Sequence, residues 1–111
     1  MSEREEQLAY SEQMAKMLDE GKRRQKARKL IAVIRHGLGV EDLTGLRALD
    51  VGCSAGFIAD ELALAGATTH GVDIDEPGLA KARQRFGDRV DFQVARGEDL
   101  PFADDSMDVV V

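Results

Sequence analysis

The chain has little of several residue types: among 111 residues there are one cysteine, two prolines and no tryptophan, and only 5% are aromatic. A single cysteine, Cys53, excludes an internal disulfide and a structural zinc site built on cysteines. No apolar run approaches the ~18 residues that a membrane-spanning helix needs. The first residues are too acidic and polar for a secretion signal. We therefore expect a soluble protein of a reducing compartment, the cytoplasm.

Charge is distributed unevenly around the net value of -6. Residues 1–36 carry nine Lys/Arg and six Asp/Glu, whereas residues 37–111 carry six and fifteen. Six of the eight residues from 22 to 29 are basic, a density that suits phosphate groups. Binders of single-stranded nucleic acid also need aromatic residues among the basic ones, and this segment has none. The pattern favours a solvated helix face and leaves RNA as a less favoured partner.

The first third of the chain predicts two helices. Apolar residues recur at helical spacing over residues 5–20 and again from Ala27 to Leu38. Gly21 is expected to break or end the first helix, and Gly37 or Gly39 to end the second.

From residue 46 onward, short strands alternate with helices. We predict strands at 47–51, 68–73, 90–94 and 107–111, and helices at 57–65 and from Asp75 or Glu76 to Phe86. Strands alternating with helices of this length form right-handed βαβ units on a parallel sheet. The predicted fold class is α/β.

A glycine-rich turn at Gly52–Gly56 joins the first of these strands to a helix. Small residues allow the backbone to approach a ligand, and the helix N-terminus presents free N–H groups to it. Asp73, at the end of the next strand, follows Gly52 by 21 positions, close to the ~20 of nucleoside-binding βαβ units. An acid at this place accepts hydrogen bonds from a ribose diol, so loop and acid together predict a nucleoside ligand.

Two other functions of this loop fit less well. A dinucleotide fingerprint needs glycine where Ser54 and Phe57 stand. The letters of residues 52–56 also match the G-x-S-x-G nucleophile elbow of hydrolases. That site needs an acid and then a histidine downstream of the serine. The only downstream histidine, His70, lies in the very next strand, too early for that order.

Three segments occur together in the order of a known family. LDVGCSAG at residues 49–56 resembles the first motif of class I S-adenosylmethionine-dependent methyltransferases, and GVDID at 71–75 is similar to their second. EDLPF at 98–102, followed by DDSMDVVV at 104–111, looks like the stretch that enters their fourth strand. These motifs are most similar to the small-molecule branch with the ubiquinone and menaquinone biosynthesis methyltransferases. The resemblance implies S-adenosylmethionine as cofactor and S-adenosylhomocysteine as product.

The resemblance implies that the loop holds the methionine end of this cofactor. Gly52 and Gly56 let the loop pass close to it, with Cys53 and Ser54 between them. Asp50 is implied to orient the loop and bind the cationic end, directly or through water. Ser54 replaces the family's usual middle glycine.

The adenosine end is assigned in the same way. Asp73 is implied to grip both ribose hydroxyls and Ile74 to pack on the adenine face. Gly97 and Glu98 lie where the family recognises the adenine edge, and Leu100 where it covers the ring. Arg96 stands where the family often has an acid. Because arginine has no acceptor, the group that reads the adenine amino group stays open among Glu98, Asp99 and the backbone.

We therefore expect a Rossmann-like three-layer α/β fold with a parallel sheet of strand order 3-2-1-4, preceded by two N-terminal helices. Residues 1–42 are expected to form a lid or cap that uses Tyr10, Met14 and Met17. Residues 43–111 are expected to be the N-terminal half of the S-adenosylmethionine-binding domain. In the family, later elements build much of the acceptor pocket, so we interpret the chain as truncated after the fourth strand.

The resulting functional hypothesis is methyl transfer from S-adenosylmethionine to an unidentified small molecule. No catalytic residue and no metal ligand is assigned. Alone, the chain is expected to lack substantial turnover and to self-associate through the exposed fourth strand. The alternatives are a non-catalytic cofactor-binding or interaction module and an RNA-directed methyltransferase that uses residues 22–29.

Overall fold

The computed structural model describes residues 2–103 and 105–111. The elements in chain order are α1 (Glu3–Leu38), β1 (Arg47–Val51), α2 (Phe57–Leu64), β2 (Thr68–Asp73), α3 (Glu76–Phe86), β3 (Val90–Val94) and β4 (Val109–Val110). All paired strands are parallel, in the order β3-β2-β1-β4. The α/β class and the strand order are therefore confirmed.

The prediction of two N-terminal helices is wrong, because α1 is one uninterrupted helix of 36 residues. Ser2 caps its start by accepting from the Glu5 N–H, and Gly39, at a φ of 66°, ends it. Gly21 lies in its interior. One exposed glycine costs a helix only about 1 kcal/mol, and α1 has no proline. The helix therefore continues through Gly21, because the residues on either side favour helix.

The fourth strand is shorter than predicted, since only Val109 and Val110 are paired strand residues. Hydrogen bonds to β1 nevertheless extend further. The Asp108 N–H donates to the Arg47 carbonyl at 2.8 Å, and the Val111 N–H donates to the Leu49 carbonyl at 2.9 Å. The segment is therefore anchored along β1 although little of it has regular strand geometry.

All three helices lie on one face of the sheet. Phe57 of α2 and Phe86 of α3 belong to one core cluster with Phe92 of β3, and Ile31 of α1 belongs to a second cluster with Ala48 of β1. The strand register places Ala48 and Phe92 on the same face. On the opposite face the Phe102 ring lies 4.9 Å from the His70 ring. Of the three expected layers, residues 2–103 and 105–111 thus form the sheet and one helical layer, with the segment around Phe102 on the other side.

An ion-pair network joins α1 to α2. Arg24 donates to Asp60 at 3.0 Å and to Glu61 at 2.9 Å, Arg28 donates to Glu61 at 3.2 Å, and Arg89 donates to Asp60 at 2.8 Å. Asp60 and Glu61 are only 1% and 6% exposed, and buried carboxylates need such partners. Five of the six basic residues at 22–29 are exposed, as expected of a solvated face, whereas Arg24 is partly buried against α2. Within residues 2–103 and 105–111, none of the helices combines the length and the apolar composition of a membrane span.

Candidate functional site

The loop between β1 and α2 has an unusual backbone that ties it to the neighbouring strand. Gly52, Ser54 and Gly56 have φ values of 72°, 48° and 86°, in the left-handed region that favours glycine. The N–H groups of Gly52 and Cys53 both donate to the Val72 carbonyl, at 2.8 and 3.0 Å. The loop is thus folded over the carboxyl end of β2 and held by backbone hydrogen bonds.

Asp73 clamps the same loop from the end of β2. One carboxylate oxygen accepts from the Ser54 N–H at 2.8 Å, and the other accepts from the Asp75 N–H at 3.0 Å. Each oxygen retains capacity for a further hydrogen bond, so Asp73 can also accept from a ligand. Asp75, two residues later, serves the next helix instead, because its side chain caps α3 by accepting from the Gly78 N–H at 3.2 Å.

A cavity of about 200 Å³ lies beside this loop. It contains five of the ten predicted site residues, together with basic residues of α1. Its lining residues are Arg23, Lys26, Asp50, Gly52, Cys53, Ser54, Gly56, Phe57 and Ile58. The cavity therefore combines an acidic side chain, two basic side chains and the glycine-rich backbone.

Asp50 is the most unusual of these residues. It is 4% exposed, and its Oδ2 atom has no hydrogen-bond partner among the described residues. Burial raises the pKa of Asp50 to about 6, and the charge of Asp73 acts in the same direction, whereas the Ala59 backbone N–H opposes it. A buried carboxylate oxygen without a partner is costly. It is therefore suited to a ligand that brings a hydrogen-bond donor into the cavity.

Cys53 is buried within the same loop and is not set up as a nucleophile. Burial raises the pKa of its thiol to about 12, and the charges of Asp50 and Asp73 act in the same direction. A thiol with such a pKa stays protonated at neutral pH. The hydrolase alternative gains nothing either, because no hydrogen bond joins His70 to Ser54 among the described residues, and the His70 ring instead pairs with Asp91 at 2.9 Å and packs on Phe102.

The residues predicted for the adenine end lie apart from this cavity. Gly97, Glu98 and Leu100 line a second cavity of about 400 Å³, which does not include Asp73 or Ile74. Ile74 is 70% exposed. A Cβ atom on Gly97 would lie 3.6 Å from Val51, so the second cavity also begins at the carboxyl end of β1. The structure thus groups the predicted residues in two places, with Asp73 beside the first and Ile74 on the surface.

Arg23 and Lys26 are site residues that the sequence motifs do not predict. The available signal is the acidic pair Asp60 and Glu61, next to the residues of α2 expected to be buried. Buried acids require cations, and the basic stretch of α1 is the richest source of them. The ion pairs of Arg24 bring this part of α1 against α2, and Arg23 and Lys26 thereby reach the cavity.

Comparison with known proteins identifies the family of this chain. The family model described as a methyltransferase domain matches residues 49–111. The ubiquinone biosynthesis O-methyltransferase of Sinorhizobium medicae is 38% identical over 74 residues, which cover 64% of this chain and 30% of that enzyme. The enzyme of the same name from Thiobacillus denitrificans is 40% identical over 64 residues, covering 55% of this chain and 28% of that enzyme. The chain thus spans less than a third of these curated relatives.

A solved structure gives the same result. The magnesium protoporphyrin IX methyltransferase of Synechocystis PCC 6803, crystallised with bound S-adenosylmethionine, superposes with a TM-score of 0.65 at 26% identity, covering 78% of this chain and 42% of that one. The family resemblance and the Rossmann-like fold predicted from the sequence are both confirmed. The chain belongs to the methyltransferase domain family.

Proposed function

We propose that this domain binds S-adenosylmethionine with the amino-acid end of the cofactor in the cavity beside the 52–56 loop. The observation that carries the proposal is the pairing of opposite charges across that cavity. The unpartnered carboxylate oxygen of Asp50 suits an ammonium group, and Arg23 and Lys26 suit a carboxylate. A zwitterionic amino acid presents both groups on a single carbon, and so matches a cavity of about 200 Å³.

The remaining predicted residues then serve the adenosine end. Asp73, already at the rim of the loop, accepts from the ribose hydroxyls, and Ile74 lies beside the adenine ring. Gly97, Glu98 and Leu100, which line the second cavity, surround the adenine. Ligands of open parallel sheets bind along the carboxyl ends of the strands, and a cofactor laid across the ends of β1 and β2 passes from the first cavity to the second.

The role of these residues in methyl transfer is to hold the donor. When bound, S-adenosylmethionine supplies an electrophilic methyl group on a sulfonium centre. Asp50 fixes the amine, Asp73 fixes the ribose, and the backbone from Gly52 to Gly56 fits between them. With both ends held, the methyl group has a defined direction toward an incoming nucleophile, and such positioning supplies up to about 7–11 kcal/mol of barrier reduction.

We further propose that the methyl acceptor is a small molecule. The curated relatives are named for O-methylation in ubiquinone biosynthesis, which supports an acceptor of this size. An RNA acceptor is less favoured because Arg24 and Arg28 already pair with Asp60 and Glu61. The division into a cap (1–42) and a cofactor domain (43–111) is part of this proposal, with Arg23 and Lys26 as the part of the cap that lies over the cofactor.

Titration calorimetry on the folded chain tests the cofactor assignment. We expect heat of binding with S-adenosylmethionine and S-adenosylhomocysteine and none with NAD. 5′-Methylthioadenosine, which lacks the amino-acid end, is expected to bind more weakly. Its affinity should not change in an Arg23→Ala, Lys26→Ala variant that binds S-adenosylhomocysteine poorly. An NAD isotherm without binding of either sulfur nucleoside would contradict the proposal.

The pKa of Asp50 predicts how binding depends on pH. An ammonium ligand favours the ionised carboxylate, so binding lowers a pKa that is about 6 in the free domain. The affinity for S-adenosylhomocysteine should therefore rise about tenfold between pH 5 and pH 7. Asp50→Asn should weaken binding and flatten this profile, whereas Asp75→Asn should leave the profile unchanged. A profile that is flat in the unmodified chain would contradict the role of Asp50.

A further inference from the structure

The N-terminal half of α1 projects from the rest of the molecule. Its Glu20 side chain pairs with Arg85 at 3.1 Å. Among the described residues, no hydrogen bond or ion pair joins the part of α1 that precedes Glu20 to another helix or strand. Tyr10, Met14 and Met17 lie in this half and are 64%, 38% and 62% exposed. None of the three lines the cavity beside the loop, so the cofactor site does not account for their exposure.

These three residues form one stripe that includes the glycine at the middle of the helix. Tyr10, Met14, Met17 and Gly21 follow each other at intervals of four, three and four residues, which places them along one side of α1. A Cβ atom on Gly21 would meet nothing within 4 Å. The stripe therefore offers apolar side chains and, at its C-terminal end, a point where another helix can approach closely.

The two halves of α1 carry opposite charge. Residues 3–20 contain six acidic and two basic side chains, whereas residues 22–36 contain seven Lys/Arg and no acid. Two copies of α1 placed side by side in parallel would set like charges against each other. Placed antiparallel about Gly21, each acidic half lies along the basic half of the other copy, and attraction replaces repulsion.

We propose that the chain forms a dimer through antiparallel pairing of two α1 helices centred on Gly21. In this register, Tyr10 lies opposite Ala32 of the second copy, Met14 opposite Arg28 and Met17 opposite Gln25. Ala32 and Gln25 are exposed. Arg28 keeps 68% of its side chain exposed while it pairs with Glu61, so its aliphatic part is free to cover a methionine.

Polar and charged residues also face each other at both ends of the paired helices. Glu6 lies opposite His36 of the second copy and next to its Arg35, and all three residues are exposed. Helical periodicity places Arg23 and Lys26 away from the stripe, so the dimer leaves the cavity beside the loop open. The pairing is thus independent of the proposed cofactor function and is tested without a ligand.

Sedimentation velocity of the complete chain, from about 10 µM to 1 mM, measures the association. We expect a dimer that weakens as ionic strength rises from about 50 to 500 mM, because salt screens the paired charges. Met14→Lys with Met17→Lys should raise the dimer dissociation constant at least about tenfold, since it removes apolar contacts and sets two lysines against the basic half of the second copy. Leu8→Lys with Val33→Lys, also exposed but outside the stripe, is the matched control and should leave it unchanged. Circular dichroism verifies that each variant keeps its helix content.

Disulfide trapping fixes the direction of the pairing. An equimolar mixture of Met17→Cys and Gln25→Cys chains should form a mixed disulfide dimer on mild oxidation, whereas each variant alone should crosslink much less. The native Cys53 is buried and does not compete. Crosslinking of Met17→Cys to itself would overturn the antiparallel arrangement. A monomer at about 1 mM and low salt, or a dimer that the stripe variant leaves intact, would overturn the proposal as a whole.

Discussion

Replacing Gly56 with alanine is expected to lower the free energy of unfolding by about 2–5 kcal/mol. Two causes act together. Gly56 has a φ of 86°, where a side chain costs about 1–2 kcal/mol. The new Cβ would also lie 3.0 Å from Phe92 and 3.2 Å from both Ala82 and Phe86, and overpacking of this kind costs about 1–3 kcal/mol.

Gly52→Ala is the matched control for this prediction. Gly52 has a φ of 72°, but a Cβ atom there would meet nothing within 4 Å. Only the backbone cost remains, so we expect a loss of about 1–2 kcal/mol. Urea denaturation followed by circular dichroism measures both variants. Equal losses would show that the contacts of Gly56 with the α3 side of the core carry no additional free energy.

Replacing Asp73 with alanine is expected to weaken binding of S-adenosylhomocysteine by about 1.5–3 kcal/mol, or roughly 10- to 150-fold. The proposed ribose hydrogen bonds are lost. The variant also removes the acceptor of the Ser54 and Asp75 N–H groups, so the loop is no longer held at the end of β2. Binding is measured by calorimetry near pH 7.5, where Asp50 is ionised.

Asp75→Ala provides the comparison for Asp73. Its side chain caps α3, and the loss of a cap costs about 1 kcal/mol of stability. Asp75 lies two residues after Asp73, and the alanine variant keeps the backbone N–H that donates to Asp73. Little affinity for S-adenosylhomocysteine should therefore be lost. If Asp75→Ala abolished binding while Asp73→Ala did not, the assignment of the ribose-binding acid would be wrong.

The sheet could be predicted from the sequence because its signals are local. Strand, glycine turn and helix follow each other within residues 47–64, and right-handed βαβ connections place α2 and α3 on the same face of the sheet. The strand order 3-2-1-4 is implied by the family resemblance. The loop could be predicted for the same reason, since the distance from Gly52 to Asp73 is a property of one βαβ unit. The position of Asp73 at the loop is fixed by its hydrogen bond to Ser54, only 19 residues away.

The rest depends on contacts between distant parts of the chain. Gly21 predicts a helix break because its local preference is against helix, but the residues on both sides outweigh it. Arg24 resembles a surface charge in the sequence because its partners, Asp60 and Glu61, are 36 and 37 residues away. Without that pairing, neither the packing of α1 on α2 nor the presence of Arg23 and Lys26 at the cavity can be predicted.

The unpartnered oxygen of Asp50 links occupancy of the site to survival of the fold. Because the folded-state pKa of about 6 lies above the ordinary value of 3.8, the empty domain loses stability as pH rises through this interval, and it is at a disadvantage at neutral pH. A ligand that pairs with Asp50 removes this disadvantage, and at a hundred times its dissociation constant it adds about 2.7 kcal/mol. The total free energy of unfolding of a small domain is only about 5–15 kcal/mol. The supply of ligand would then govern how much of the protein escapes unfolding and proteolysis, and a shortage would lower its abundance as well as its activity.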